Sequence, residues 1–244
     1  MGTQEITDSK RKFERILLKL SGEVFGGENG YGIDYDAISA IANDIAQIKK
    51  LGIDVAIVNG AGNLFRGRMG AQKGMDEASA DYVGMIATIM NSLVLQDALE
   101  KAGVPTRVLT AIDVNKVAEP YIRRRAIRHM EKGRVVICAG GIGNPCFTTD
   151  TAGILRAIEL DCQIVLKASN IDGVYDADPS VDRSAKKFDE LTYNEVLQKH
   201  LKALDATAVS LAREKQMPIL VFDYTKKGNL KKAVTGEKIG TLIS

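Results

Sequence analysis

Short apolar runs alternate with stretches in which apolar residues recur every three or four positions, almost from end to end of the chain. The runs RILLKLS, IDVAIVNG, PTRVLTA, RVVICAGG, CQIVLKAS and PILVFD are too short for helices and predict strands. They are apolar without strict alternation, as expected of parallel strands covered on both faces. Ile38, Ile41, Ile45 and Ile48 recur at helical spacing behind Asp34, a capping residue, and that helix stops at Leu51-Gly52. Tyr82, Val83, Ile86, Ile89, Met90, Leu93 and Leu99 predict a long helix ending before Gly103. It is apolar on more than one side, which fits burial against a partner subunit or within one chain. PYIRRRAIRHMEKG predicts a helix with Ile122, Ala126, Ile127 and Met130 inward, and TTDTAGILRAIEL another. TYNEVLQKHLKAL and DATAVSLAREKQ follow a polar loop, NIDGVYDADPSVD, and NLKKAVTGEKIGTLIS closes the chain as turn, helix and strand.

Repeated strand–helix–strand units predict an α/β fold, a three-layer sandwich around a central, mostly parallel sheet. Residues 13–244 read as a single domain behind a flexible polar tail, 1–12, with no linker or repeat. Ligands of such sheets lie beyond the carboxyl ends of the strands.

Composition narrows the function more than the fold. A formal charge of +2 gives no concentrated basic face, so no nucleic-acid polymer is expected as a partner. No apolar run reaches the ~18 residues of a membrane span, and MGTQEITDSKRKFE has no apolar core of a signal peptide. Ile6 stands where a myristoylation signal needs Ser or Thr. Cys138, Cys146 and Cys162 have neither metal-type spacing nor an even count, which predicts a reducing, cytoplasmic setting. The only histidines, His129 and His200, sit in charged helical contexts and read as solvated surface residues. That argues against zinc chemistry and a His-driven triad.

Candidate chemistry gathers at four strand ends. LLKLSGE supplies Lys19, Ser21 and Gly22; IVNGAGN supplies Gly60, Ala61 and Gly62. ICAGGIGNP supplies Gly140, Gly141 and Gly143, and VLKASNIDG supplies Lys167, Ser169 and Gly173. Glycine lets backbone N–H groups converge on phosphate oxygens, although it also simply makes tight turns. Lys19 and Lys167 each lie inside an apolar strand, and a buried ammonium needs an anion. Edge exposure, a structural carboxylate or a bound triphosphate would each answer that need.

The segments ILLKLSGE, GNLFRG, GNPCFTTD and LKASNIDGVYDADP, with the tail GEKIGTLIS, resemble the bacterial-type UMP kinases of the amino-acid kinase superfamily. The resemblance implies an amino-acid kinase-like fold and transfer of the γ-phosphoryl of ATP, with Mg²⁺, onto UMP without a covalent enzyme intermediate. Its N-terminal part would serve the acceptor and its C-terminal part ATP. The implied ATP-side residues are Lys19, Leu20, Ser21, Gly22, Gly62, Arg66, Ser169, Asn170, Tyr175 and Asp178. The implied UMP-side residues are Gly60, Ala61, Asp81, Ile142, Gly143, Asn144, Pro145, Cys146, Phe147, Thr148 and Thr149. Asp81 would accept from ribose hydroxyls. Lys19 and Lys167 would stabilise the phosphoryl in flight, with Asp150 holding them in position or helping with Mg²⁺. Members are typically homohexamers activated by GTP and inhibited by UTP. The basic run Arg123, Arg124, Arg125 and Arg128 reads as a solvated helix face or an effector or interface site, with Arg107 and Arg134 as further effector candidates.

Three departures from the family pattern matter. Ala61 replaces a glycine of the first loop, and it fits only if its φ is negative. Cys146 stands where many relatives carry an aromatic residue, which predicts looser packing around a thiol acting as a small hydrophobe. Asn170 replaces a lysine found in some members. Acid-phosphorylating relatives (aspartate, glutamate or carbamate kinases) are the alternative enzymes, disfavoured by GNPCFTTD. A non-catalytic nucleotide-binding or storage protein is the alternative outside catalysis, disfavoured by Lys19, Asp150 and Lys167 together.

Overall fold

Alternate residues of the first strand point to opposite cores, and this places the chemistry. A computed structural model describes residues 11–244. Strand β1 (Arg15–Leu20) sends Ile16, Leu18 and Leu20 to one face, where they meet the buried isoleucines of α1 (Tyr35–Lys49). Leu17 and Lys19 go to the other face. Asp34 caps α1 through the Ala37 N–H, as its position predicts, and Ile38, Ile41, Ile45 and Ile48 are buried. Each contributes about 1.5–3 kcal/mol of burial, so the helix is fixed by its apolar stripe.

The chain continues through β2 (Asp54–Asn59), α2 (Gly67–Gln72), α3 (Glu77–Lys101), β3 (Thr106–Thr110), β4 (Glu119–Pro120) and α4 (Arg123–Glu131). Next come β5 (Val135–Ala139), α5 (Thr149–Glu159), β6 (Ile164–Ser169) and a small antiparallel ribbon of β7 (Val174–Tyr175) and β8 (Lys187–Phe188). Then follow β9 (Glu190–Leu191), α6 (Tyr193–Gln198), α7 (Ala206–Lys215), β10 (Ile219–Asp223), α8 (Asn229–Thr235) and β11 (Thr241–Ile243). Nine strands form the main sheet in the order β4-β3-β5-β2-β1-β6-β10-β11-β9, with only β10 and β11 antiparallel. Helices α1, α3 and α8 cover one face, and α4, α5, α6 and α7 the other. The three-layer, mostly parallel sandwich expected from the pattern is the fold.

The four strands that end in glycine or lysine motifs are contiguous, β5-β2-β1-β6. Their carboxyl ends therefore make one rim. Lys19 and Lys167 are register partners on adjacent strands, so both point to the same face, toward α5.

Several expectations need correction. His129 is not a solvated residue: its side chain is 12 % exposed, lies 3.2 Å from Glu119 and meets the Arg134 guanidinium at 2.9 Å. Its neighbours Arg125 and Glu119 bridge over it. Ile122 points outward at 48 % exposure, because α4 begins only after it. The helix expected over TYNEVLQKHLKAL ends at Gln198, and His200 takes a left-handed turn, φ 50°. On α3, Tyr82, Val83, Ile86 and Met90 are exposed, while Ile89, Leu95 and Leu99 face the core. The expected tail lies outside the described residues up to residue 10; Lys12 already donates its N–H to the Val234 carbonyl.

Candidate active site

One carboxylate joins the two buried lysines. Thr148 caps α5 by accepting the N–H groups of Asp150 and Thr151, and this sets Asp150 in the first turn, facing the sheet. Asp150 Oδ1 lies 2.6 Å from Lys19 Nζ, and Oδ2 lies 2.6 Å from Lys167 Nζ. The side chains are 11 %, 14 % and 17 % exposed for Lys19, Asp150 and Lys167. Lys167 also donates to the Ala203 carbonyl at 2.5 Å. The Lys19 ammonium answers Oδ1 as a close ion pair. A structural carboxylate thus answers both amines, and Asp205 adds a second negative charge near Lys167.

Burial alone would raise the Asp150 pKa, yet Lys19 and Lys167 outweigh it and hold the carboxyl at about 2. Burial depresses the Lys167 pKa, partly offset by Asp150, while Lys19 adds to the depression. Both oxygens of Asp150 face ammonium groups.

Open N–H donors lie in the loops that follow β1 and β2. The amides of Gly22, Ala61 and Gly62 meet no acceptor among the described residues. A Cβ on Gly22 would come within 2.2 Å of the Gly62 nitrogen, so only glycine lets these two loops touch. Ala61 is absent from the residues with positive φ, so it meets the condition set for it. Gly60 differs from these three: its N–H is spent on the Leu20 carbonyl at 2.9 Å.

Two cavities flank this centre. The larger, about 370 Å³, is lined by Lys167, Ser169, Tyr175, Asp178, Leu201 and Ala203 among others. It gathers Ser169, Tyr175 and Asp178 of the expected ATP set. Asn170 is exposed beside it, and Leu20, Ser21, Gly22, Gly62 and Arg66 line the rim or lie elsewhere. Leu20 is wholly buried and offers only backbone. Arg66 pairs with Glu23 and contacts the Gly62 carbonyl, strapping the β1 and β2 loops together.

The smaller cleft, about 160 Å³, is lined by Ala61, Asp81, Met85, Phe147, Thr148 and Thr149 among others. Of the expected acceptor set, Gly60, Ile142, Gly143, Asn144, Pro145 and Cys146 do not line it. Asp81 Oδ2 accepts the Cys146 N–H at 2.7 Å, tying α3 to the turn. Cys146 is exposed rather than packed, and it holds a left-handed φ of 71°. A non-glycine residue there costs about 1–2 kcal/mol, and the bond to Asp81 offsets part of it. Cys138 and Cys162 are buried; burial raises the Cys138 thiol to about 12, which removes it from thiolate chemistry.

Polar residues of α3, absent from the sequence reading, hold the glycine loops. Asn91 donates to the Gly60 carbonyl at 2.9 Å and exchanges hydrogen bonds with Asn63. Thr88 Oγ accepts the Gly140 N–H at 2.9 Å, and Asn59 donates to the Thr88 carbonyl. Their signal was visible as polar residues inside an apolar helix face. Asp205, which binds both Thr148 and Thr151, was also missed.

Comparison with known proteins agrees with this geometry. A family model of the amino acid kinase family matches residues 14–223. The structure superposes on the UMP kinase of Bacillus anthracis with a TM-score of 0.92 and 40% identity, covering 96% of this chain and 97% of that one. For the UMP kinase of Ureaplasma parvum the values are 0.89 and 36%, covering 95% and 98%. The uridylate kinase of Archaeoglobus fulgidus gives 0.71 and 27%, covering 94% and 99%. With its rim of open amides, its paired lysines and this match over most of its length, the chain belongs to the amino acid kinase family.

Proposed function

We propose that this protein transfers the γ-phosphoryl of ATP directly onto UMP, giving UDP and ADP, in pyrimidine nucleotide biosynthesis. The Lys19–Asp150–Lys167 bridge between the two cavities carries the reading. A loose phosphoryl-transfer transition state needs positioning and positive charge around the transferring oxygens rather than covalent chemistry. The acceptor phosphate has a second pKa of about 6, so it is already ionised at neutral pH and needs no general base. Lys19 and Lys167 face the transferring group, Asp150 keeps them parallel, and the amides of Gly22, Ala61 and Gly62 receive phosphate oxygens. Ser169, Tyr175 and Asp178 hold the donor nucleotide in the larger cavity. Asp81, Phe147, Thr148 and Thr149 hold UMP in the smaller cleft, with the rest of the 142–149 turn around it.

Asp150, beside the lysine pair, is the carboxylate that would assist a Mg²⁺ brought with the nucleotide, and such an ion would supply positive charge to the phosphate oxygens. The same reading takes residues 13–244 as one domain in a cytoplasmic homohexamer, with GTP as activator and UTP as inhibitor. The exposed apolar face of α3, Tyr82, Val83, Ile86 and Met90, supports subunit contact there. The effector candidates are the α4 arginines Arg123, Arg124, Arg125 and Arg128, with Arg107 and Arg134 near one edge of the sheet.

The test is ADP release from Mg-ATP with UMP, CMP, aspartate, glutamate and carbamate offered separately. Selective turnover of UMP is expected. Turnover of an acid instead, or ATP binding without turnover, overturns the reading. Asp81→Ala should raise the KM for UMP far more than that for ATP; equal effects would mean that Asp81 serves the other nucleotide.

A further inference from the structure

Asp205 ends the segment that carries Leu201 and Ala203 along the donor cavity, and it begins α7. One duty is ordinary: Oδ1 accepts the Ala208 N–H at 2.9 Å and caps the helix. The second is not required of a cap. Oδ2 accepts the Thr148 hydroxyl at 2.5 Å, and the Thr151 hydroxyl is shared between the two oxygens at 3.0 and 3.2 Å. Thr148 is itself the cap of α5 and a wall of the acceptor cleft. The positive ends of two helices therefore converge on one anion. Two residues before it, the Ala203 carbonyl receives the Lys167 ammonium.

We propose that Asp205 is a positioning residue that ties the acceptor turn to the wall of the donor cavity, setting the line along which the phosphoryl group moves. The proposal rests on the kinase reading above. Thr148 fixes where the acceptor turn stands, and the Ala203 carbonyl helps fix where Lys167 stands. Asp205 is the short link between them. In-line transfer is sensitive to that spacing, since displacement of a reacting group by about 1 Å costs on the order of 100-fold in rate.

Asp205→Asn keeps a capping oxygen for α7 but can turn an amide toward Thr148, where an acceptor is needed. Asp205→Ser also caps but is too short to reach Thr148, and it serves if the asparagine variant fails to fold. With the full chain, Mg-ATP and UMP, either variant should lower kcat/KM for UMP by about 10- to 100-fold. The KM for ATP and the thermal midpoint should stay nearly unchanged. Thr151→Val removes only a hydroxyl whose bond goes to Asp205, so Asp205→Asn combined with it should lose less than the product of the two single losses. Thr151→Ser, which keeps the hydroxyl, should retain most of the activity. Unchanged kcat/KM, a fully multiplicative double variant, or parallel loss in KM for ATP and thermal midpoint would overturn the proposal. If the unaltered chain phosphorylates UMP and the variants are silent, only the coupling falls; if the unaltered chain does not, the kinase reading falls as well.

Discussion

Lys19 and Lys167 carry two positive charges inside the sheet, whereas Arg123, Arg124, Arg125 and Arg128 carry four on the outside of α4. The larger concentration has the smaller physical consequence. Arg123 pairs with Asp161, Arg125 with Glu119 and Arg128 with Glu131, all in contact with water. Such pairs contribute about 0–1 kcal/mol each. The two lysines share one carboxylate in a desolvated place, so every partner is coupled to the others and none is replaceable. Charge density along the sequence is therefore a poor guide to function, and charge without solvent a better one.

The largest break in this comparison should come from Asp150→Asn. It leaves two ammonium groups buried without an anion, a loss of about 3–5 kcal/mol by the usual cost of breaking a buried pair. Turnover should fall by about 100- to 1,000-fold, the scale for losing preorganised charge at a reacting group. Urea unfolding and steady-state kinetics check the two together, and near-normal turnover would separate the trio from the chemistry.

Acid should produce a smaller effect through the same group. The Asp150 pKa falls from 3.8 to about 2 on folding, because Lys19 and Lys167 outweigh its burial. A depressed carboxyl stabilises the fold above its unfolded pKa, and that stability is lost as pH drops through the folded value. The amount is roughly 2 kcal/mol, given up between about pH 4 and pH 2. The Asp150→Asn variant should lack this portion of the acid sensitivity in urea titrations. In the alkaline direction, burial depresses the Lys167 pKa, so the protein should lose turnover at a lower pH than an ordinary lysine would dictate. Lys167→Arg should move that limb upward even if its rate is poor.

The smallest expected change is at the surface. Arg128→Ala should shift stability by less than about 1 kcal/mol and leave turnover without effectors unaltered. A large change in either would show that this face is more than solvated.

Much of this was legible beforehand, for definite reasons. Helix α1 and strands β1, β2, β5, β6 and β10 follow from apolar spacing alone, because burial on one stripe or two faces writes itself into the order of residues. Lys19 and Lys167 stood out as charges inside apolar strands, whereas Asp150 was pointed to only by the family resemblance. His129 did not stand out, because its neighbours Glu119 and Arg134 come from other elements, and burial of a polar residue depends on them. The anchoring of the glycine loops by Thr88 and Asn91 was equally hidden, although both interrupt the apolar face of α3. Gly60 shows a further hidden feature: its amide, in a glycine motif, already belongs to the sheet.

Local order along the chain determined which segments became strands and helices and which residues bore unusual charge, since periodicity and desolvation cost act over a few neighbours. Only the folded arrangement decided that Lys19 and Lys167 would be register partners, that one carboxylate from α5 would stand between them, and that Asp205 would bridge two helix ends. Those facts depend on strand order and on contacts between residues more than a hundred positions apart, such as Lys19 and Asp150, and no short window of sequence contains them.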